Sequence, residues 1–129
     1  MGALNMKKKI LIIDDADELI ELTRRILTSR GYEVIGLTDG DVAIQTIKKE
    51  SPDLVIIDMI LPGKHGTEIC HEIKSNETIK QMPVIISTGQ FIDEDITRSA
   101  EGFKQADDYL SKPFEIEDLL AKIRNLVGH

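Results

Sequence analysis

Short aliphatic runs alternate along this chain with longer stretches in which apolar residues recur every three or four positions. Lys9 to Ile13, Tyr32 to Leu37, Leu54 to Asp58, Val84 to Ser87 and Asp108 to Ser111 are too short for helices, and most are rich in β-branched residues, so they read as strands. Between them, Glu18 to Ser29 carries Leu19, Leu22, Ile26 and Leu27 at helical spacing, with Asp17 as the expected N-cap and Gly31 as the stop. Asp39-Gly40-Asp41 opens a second helix with Val42, Ala43 and Ile47, which Ser51-Pro52 closes. Gly66 to Ser75 is a third, with Ile69 and Ile73 on one side. A fourth starts at Asp93 and contains Ile96, Ala100 and Phe103. Glu115 to Val127 is the clearest: Ile116, Leu119, Leu120, Ile123 and Val127 form a continuous apolar stripe. Strands that alternate with helices predict an α/β fold, in which crossover helices cover both faces of a parallel sheet.

The strand ends change the picture from fold to chemistry. The first strand ends at Asp14-Asp15, the third at Asp58, the fourth at Thr88 and the fifth at Lys112. In a parallel sheet these ends share one edge, where open α/β sheets place their ligands. Three carboxylates in one pocket repel one another unless a cation sits among them. Oxygen donors without His or Cys suit Mg²⁺. A carboxylate oxygen left free can attack a phosphoryl group and form an acyl phosphate, with a Lys and a hydroxyl to hold the remaining oxygens. Each residue also has an ordinary reading: Asp pairs cap helices, Thr-Gly makes turns, and Lys before Pro is a surface charge. It is their joint placement at strand ends that favours the chemical reading.

Composition narrows the function class. A chain of 129 residues reads as one domain. The net charge of -7 argues against nucleic-acid binding, which needs a basic face. Lys7-Lys8-Lys9 reads as a solvated N-terminal end rather than a site for an anionic partner, and Asp107-Asp108 as a turn into the fifth strand. The single cysteine, Cys70, forms no intramolecular disulfide and reads as a small buried hydrophobe, consistent with a cytoplasmic protein. No apolar run approaches the roughly 20 residues that cross a bilayer, and no membrane association is expected. Met6 reads as the original start, with Met1 to Asn5 of cloning origin. The expected organisation is an N-terminal extension over 1–7 and one domain over 8–127.

Four stretches carry a family resemblance: Ile10-Leu11-Ile12-Ile13-Asp14-Asp15, Pro52 to Asp58, Met82 to Gly89, and Ala106 to Phe114. In this order and spacing they resemble the receiver domain of a two-component response regulator, from about Lys8 to Val127. The resemblance implies a flavodoxin-like (βα)5 three-layer sandwich with sheet order 2-1-3-4-5. Asp58 would be the phospho-acceptor. Asp15 and Asp58 would bind Mg²⁺ (or Mn²⁺) directly, with Asp14 acting mainly through water and the backbone carbonyl of Ile60 as a further ligand. Lys112 would pair with the phosphoryl group, Thr88 would hydrogen-bond it, and Tyr109 would be the switch aromatic. The phosphoryl donor would be a sensor histidine kinase or a histidine phosphotransfer protein. The fourth helix, fifth strand and fifth helix would form the face that meets an output domain, a target or a second copy. Such a domain is a signalling module, not an enzyme, and catalyses only its own phosphorylation and slow self-dephosphorylation.

Departures from the family pattern stand at His65, Gln105 and Gly89, and Ile60 and Gln90 occupy positions that the family uses to set phosphoryl lifetime. His65 is expected to have no ligand role, Gln105 to alter the turn before the fifth strand, and Gly89 to loosen its loop. Two rival readings remain: a receiver-like binding module that takes no phosphate, and a Mg²⁺-dependent phosphohydrolase of the haloacid-dehalogenase type. The latter family wants a second Asp two residues beyond the nucleophile, where this chain has Ile60.

Overall fold

A computed structural model of the chain describes residues 7–89 and 101–128. In these residues the strands are β1 (Lys9–Ile13), β2 (Glu33–Leu37), β3 (Leu54–Asp58), β4 (Val84–Thr88) and β5 (Asp108–Ser111). The helices are α1 (Asp17–Ser29), α2 (Ala43–Glu50), α3 (Gly66–Ser75), α4 (Glu101–Gln105) and α5 (Ile116–Val127). All strand pairs are parallel, and the sheet order is β2-β1-β3-β4-β5, as the resemblance implies.

Strand alternation divides the core into two. Ile10, Ile12, Leu54, Ile56, Ile85 and Leu110 face one way and pack with Ile20 and Leu27 of α1 and Leu119, Leu120 and Ile123 of α5. Leu11, Ile13, Val55, Ile57, Val84 and Ile86 face the other way, against Ala43 and Ile47 of α2 and Ile69, Cys70 and Ile73 of α3. Both faces of the central strands are therefore apolar, which is why β3 reads as a continuous aliphatic run. Cys70 has no exposed surface, and burial pushes its thiol up to about 11. It is core, as expected. Gly102 of α4 crosses α3 so closely that a Cβ there would overlap the Thr67 carbonyl oxygen.

Several local expectations are corrected. The N-cap of α1 is Ala16, without a side-chain cap bond, and Asp17 lies in the first turn; the Asp14 carboxylate accepts the Ala16 N–H at 2.9 Å. Asp39 accepts the Asp41 N–H at 2.8 Å and so caps a 3₁₀ turn over Gly40–Val42, with α2 beginning only at Ala43. Glu115 caps α5 rather than starting it, and Tyr32 precedes β2. Lys9 is not a free N-terminal charge: it is the first residue of β1, its N–H donates to Asp53 at 2.8 Å, and its Nζ donates to the Glu50 carbonyl at 3.0 Å. The expected helix start at Asp93, with Ile96 and Ala100, lies outside the described residues. The Asp107-Asp108 turn is as expected, and Asp107 accepts from both the Val84 N–H and Lys74 Nζ at 2.8 Å, tying β4 to the end of α3.

Candidate functional site

The strand order reverses between β1 and β3, so the crevice at their carboxyl ends is the natural ligand position. Ile13 pairs in register with Ile57, which sets Asp14 beside Asp58. Asp58 pairs with Ser87, and Thr88 with Ser111, so Lys112 follows at the same edge. Residues separated by 98 positions, Asp14 and Lys112, thereby meet.

Lys112 Nζ donates to Asp14 Oδ2 at 2.7 Å and lies 3.2 Å from Asp58 Oδ2. Asp58 Oδ1 accepts the Ile60 N–H at 3.3 Å. Asp14 is buried and Asp15 exposed, and carboxylate oxygens of Asp14, Asp15 and Asp58 all lie within 4.8 Å of one another. This donor set fits Mg²⁺. Two ligands on one such ion stand at most about 4.2 Å apart, close to the spread of these oxygens.

Burial pushes the Asp58 carboxyl above its usual range; Lys112 opposes the shift and Asp14 adds to it. Burial also works against the Lys112 charge, but the hydrogen bond to Asp14 and the charge of Asp58 outweigh it and hold the ammonium above its ordinary value. A raised carboxyl pKa gives a stability contribution that is complete below the unfolded-state value and is lost as pH rises through the folded one. At neutral pH, ionised Asp58 therefore weakens the fold unless a cation offsets it. Asp58→Asn is expected to melt higher than the parent protein at pH 7 in chelator, with the difference vanishing as pH falls into the carboxylate range. Thermal denaturation against pH checks this, and a lower melting temperature at pH 7 would contradict it.

Thr88 is buried on the sheet face of Val84 and Ile86, the face that also carries Tyr109. The Tyr109 ring lies 4.6 Å from that of Phe103, and its hydroxyl donates to the Phe103 carbonyl, so Tyr109 joins β5 to α4. Ile60 is 58% exposed at the mouth of the site. His65 is exposed and precedes α3 without a side-chain cap bond. Gln105 bridges to α3, its Oε1 2.9 Å from His71 Nδ1, and Gly89 is exposed with open space around it. Gln90 lies outside the described residues.

Sequence reasoning missed the support under Asp58. Gly66 donates its N–H to the Met59 carbonyl at 2.9 Å and packs directly on the Asp58 backbone. Its only sequence signal is a glycine opening a helix just after the acidic strand end. An open cleft of about 440 Å³ lies at the other end of the strands, lined by Ile47, Pro52, Ile79 and Met82 with Lys48 as its ionisable group, away from this chemistry.

A family model for the response regulator receiver domain matches residues 10–124. A protein assigned as a response regulator from Chloroflexus aurantiacus J-10-fl is 33% identical over 96% of this chain and 100% of its own, with a TM-score of 0.85. The response regulator TrrA from Thermotoga maritima, solved in complex with Mg²⁺-BeF, is 31% identical over 92% of this chain and 98% of its own, with a TM-score of 0.79. The receiver domain of sensor histidine kinase PA1611 from Pseudomonas aeruginosa PAO1, solved with a magnesium ion coordinated in its active-site cleft, is 26% identical over 96% of this chain and 100% of its own, with a TM-score of 0.82. With the sheet order, the acidic strand ends and a family match over most of its length in agreement, the chain belongs to the response regulator receiver domains of two-component systems.

Proposed function

We propose that this receiver accepts a phosphoryl group on Asp58 from a phosphohistidine of a sensor histidine kinase or a histidine phosphotransfer protein. The observation that carries the reading is the Lys112 ammonium set between Asp14 and Asp58, 2.7 and 3.2 Å from their oxygens, beside a carboxylate cluster that fits a divalent cation. An Asp58 carboxylate oxygen attacks phosphorus. The P–N bond to the donor imidazole breaks, its electron pair returns to that nitrogen, and an acyl phosphate forms. Bound Mg²⁺, or Mn²⁺ in its place, would supply positive charge to the developing phosphoryl oxygens.

Asp15, Asp58 and the Ile60 carbonyl would hold the ion directly, and Asp14 through water. Lys112 neutralises charge on the transferred group and then pairs with it. Thr88 donates to a phosphoryl oxygen, and the new contacts bias the Thr88 loop and Tyr109 toward one of two conformations. The readable face would run over α4, β5 and α5, where an output domain, a target or a second copy would dock. We place the domain at 8–127 and its action in the cytoplasm. No helix among the described residues is long and apolar enough to cross a membrane.

Ile60 bears on the lifetime of the acyl phosphate. Its side chain stands exposed beside Asp58, where a large apolar group hinders attacking water. Ile60→Asn is expected to lose its phosphoryl group several-fold faster than the parent protein, a barrier change of about 1 kcal/mol. The decay of the phosphorylated mass peak checks this, and equal decay rates would contradict it. The reading as a whole is tested by beryllofluoride, a phosphoryl mimic that does not turn over: with Mg²⁺, binding is expected to perturb Asp58, Thr88, Tyr109 and Lys112 resonances. Failure to bind would instead favour a module that takes no phosphate.

A further inference from the structure

β2 is an edge of the sheet and pairs with β1 alone. Glu33 donates its N–H to the Lys8 carbonyl at 2.9 Å, and the Leu37 carbonyl accepts from the Asp14 N–H at 3.0 Å. Glu33, Ile35 and Leu37 therefore turn their backbone groups toward β1, and the N–H and carbonyl groups of Val34 and Gly36 point outward. An open row of this kind is a template for another strand. Among the described residues, one side chain meets it: Arg24 of α1 donates from Nη1 to the Val34 carbonyl at 3.1 Å.

Arg24 lines an open groove of about 420 Å³ between α1 and β2, beside Ile20, Glu21 and Gly36. Gly36 clears the way for it: a Cβ there would stand 3.0 Å from Arg24 Nη2 and 2.5 Å from Ile20 Cγ2. Glu21 Oε1 lies 3.2 Å from Arg24 Nε as an ion pair, yet Nε is buried and makes no aligned hydrogen bond. A buried donor left unmet is costly, and a side chain 38% exposed has water within reach. The reach to Val34 is thus not the arrangement that best satisfies the guanidinium itself.

We propose that Arg24 guards the β2 edge against pairing with a second copy of this chain. Two β2 strands set antiparallel about Ile35 place Val34 of one copy opposite Gly36 of the other, where the two residues exchange both outward hydrogen bonds. The same register puts Glu33 opposite Leu37, so no like charges oppose it. The Val34 carbonyl that the second copy's Gly36 N–H needs is the one that Arg24 occupies.

The guard needs neither metal nor phosphoryl group, so the test uses the unphosphorylated protein in chelator. Arg24→Met keeps an aliphatic stem and removes every donor. Its self-association, followed by sedimentation over a concentration series, is expected to be at least about tenfold tighter than that of the parent protein, because each dimer frees two carbonyls for strand bonds. Hydrogen exchange locates the contact: the Val34 and Gly36 amides are expected to gain protection in the associated variant. Sedimentation identical to that of the parent protein at every concentration would overturn the guard, even with a lowered melting temperature, since Arg24 would then only brace α1 on β2. Association that leaves both amides unprotected would overturn it equally. Should Arg24→Met fail to fold, the parent protein gives the readout: NMR at low temperature is expected to resolve separate Arg24 Nη signals, one of them slow to exchange, and a freely rotating guanidinium would contradict the proposal.

Discussion

Asp58→Ala is expected to carry no phosphoryl group after incubation with acetyl phosphate and Mg²⁺, a loss of at least about 100-fold in adduct relative to the parent protein. Nothing nearby can stand in for it. Asp14 is 3% exposed, and both its oxygens are engaged, by the Ala16 N–H at 2.9 Å and by Lys112 at 2.7 Å. Asp15 is exposed and lacks the lysine that Asp58 has at 3.2 Å. Charge neutralisation and position together make the acceptor, and Asp58 alone among the three has both while still opening to solvent. The fold should not suffer, since burial already penalises the ionised side chain. Intact mass followed by peptide mapping reads the outcome. An adduct of parental yield, mapped to Asp14 or Asp15, would contradict the assignment.

Gly66→Ala is expected to be the most damaging single-methyl change near the site. A Cβ at Gly66 would overlap the Asp58 carbonyl oxygen and lie 2.8 Å from Ile57 Cγ2 and 2.9 Å from the Asp58 carbonyl carbon. Two of those atoms are backbone of β3, so no rotamer change relieves the contact; α3 or the strand end must move. Overpacking against backbone costs about 3 kcal/mol. In a domain of this length that is a fall in melting temperature of roughly 10 °C. Because the displaced atoms belong to Asp58 itself, phosphorylation should fall together with stability, even at temperatures where the variant remains folded. Thermal denaturation and phosphorylation at 15 °C separate the two effects. A melting temperature within about 2 °C of the parent protein, an effect below about 1 kcal/mol, would show that the helix start yields freely.

The strands and the acidic edge were legible in the sequence because their signals are local. Aliphatic runs of four or five residues between turn residues admit few other readings, and each strand end carries its own polar residue. The α5 stripe was equally plain, with Leu119, Leu120 and Ile123 buried as predicted. What escaped depends on contacts across the chain. Asp17 is a better N-cap type than Ala16, yet Ala16 takes that position without a side-chain cap bond, its own N–H held by Asp14 at the strand end. Asp39 does cap, but a 3₁₀ turn precedes α2. Lys9 looks like a solvated charge until Asp53 and the Glu50 carbonyl arrive from over forty residues away. The glycine beneath Asp58 and the His71–Gln105 bridge likewise have no periodicity that a sequence could display.

The most direct measurement is the intact mass of the parent protein after incubation with acetyl phosphate, with Mg²⁺ and with chelator. A gain of one phosphoryl mass is expected with Mg²⁺ and none in chelator, the adduct residing on Asp58. An equal adduct in chelator would contradict the metal dependence. No adduct with Mg²⁺, together with no binding of beryllofluoride, would contradict the central claim that this carboxylate edge accepts a phosphoryl group.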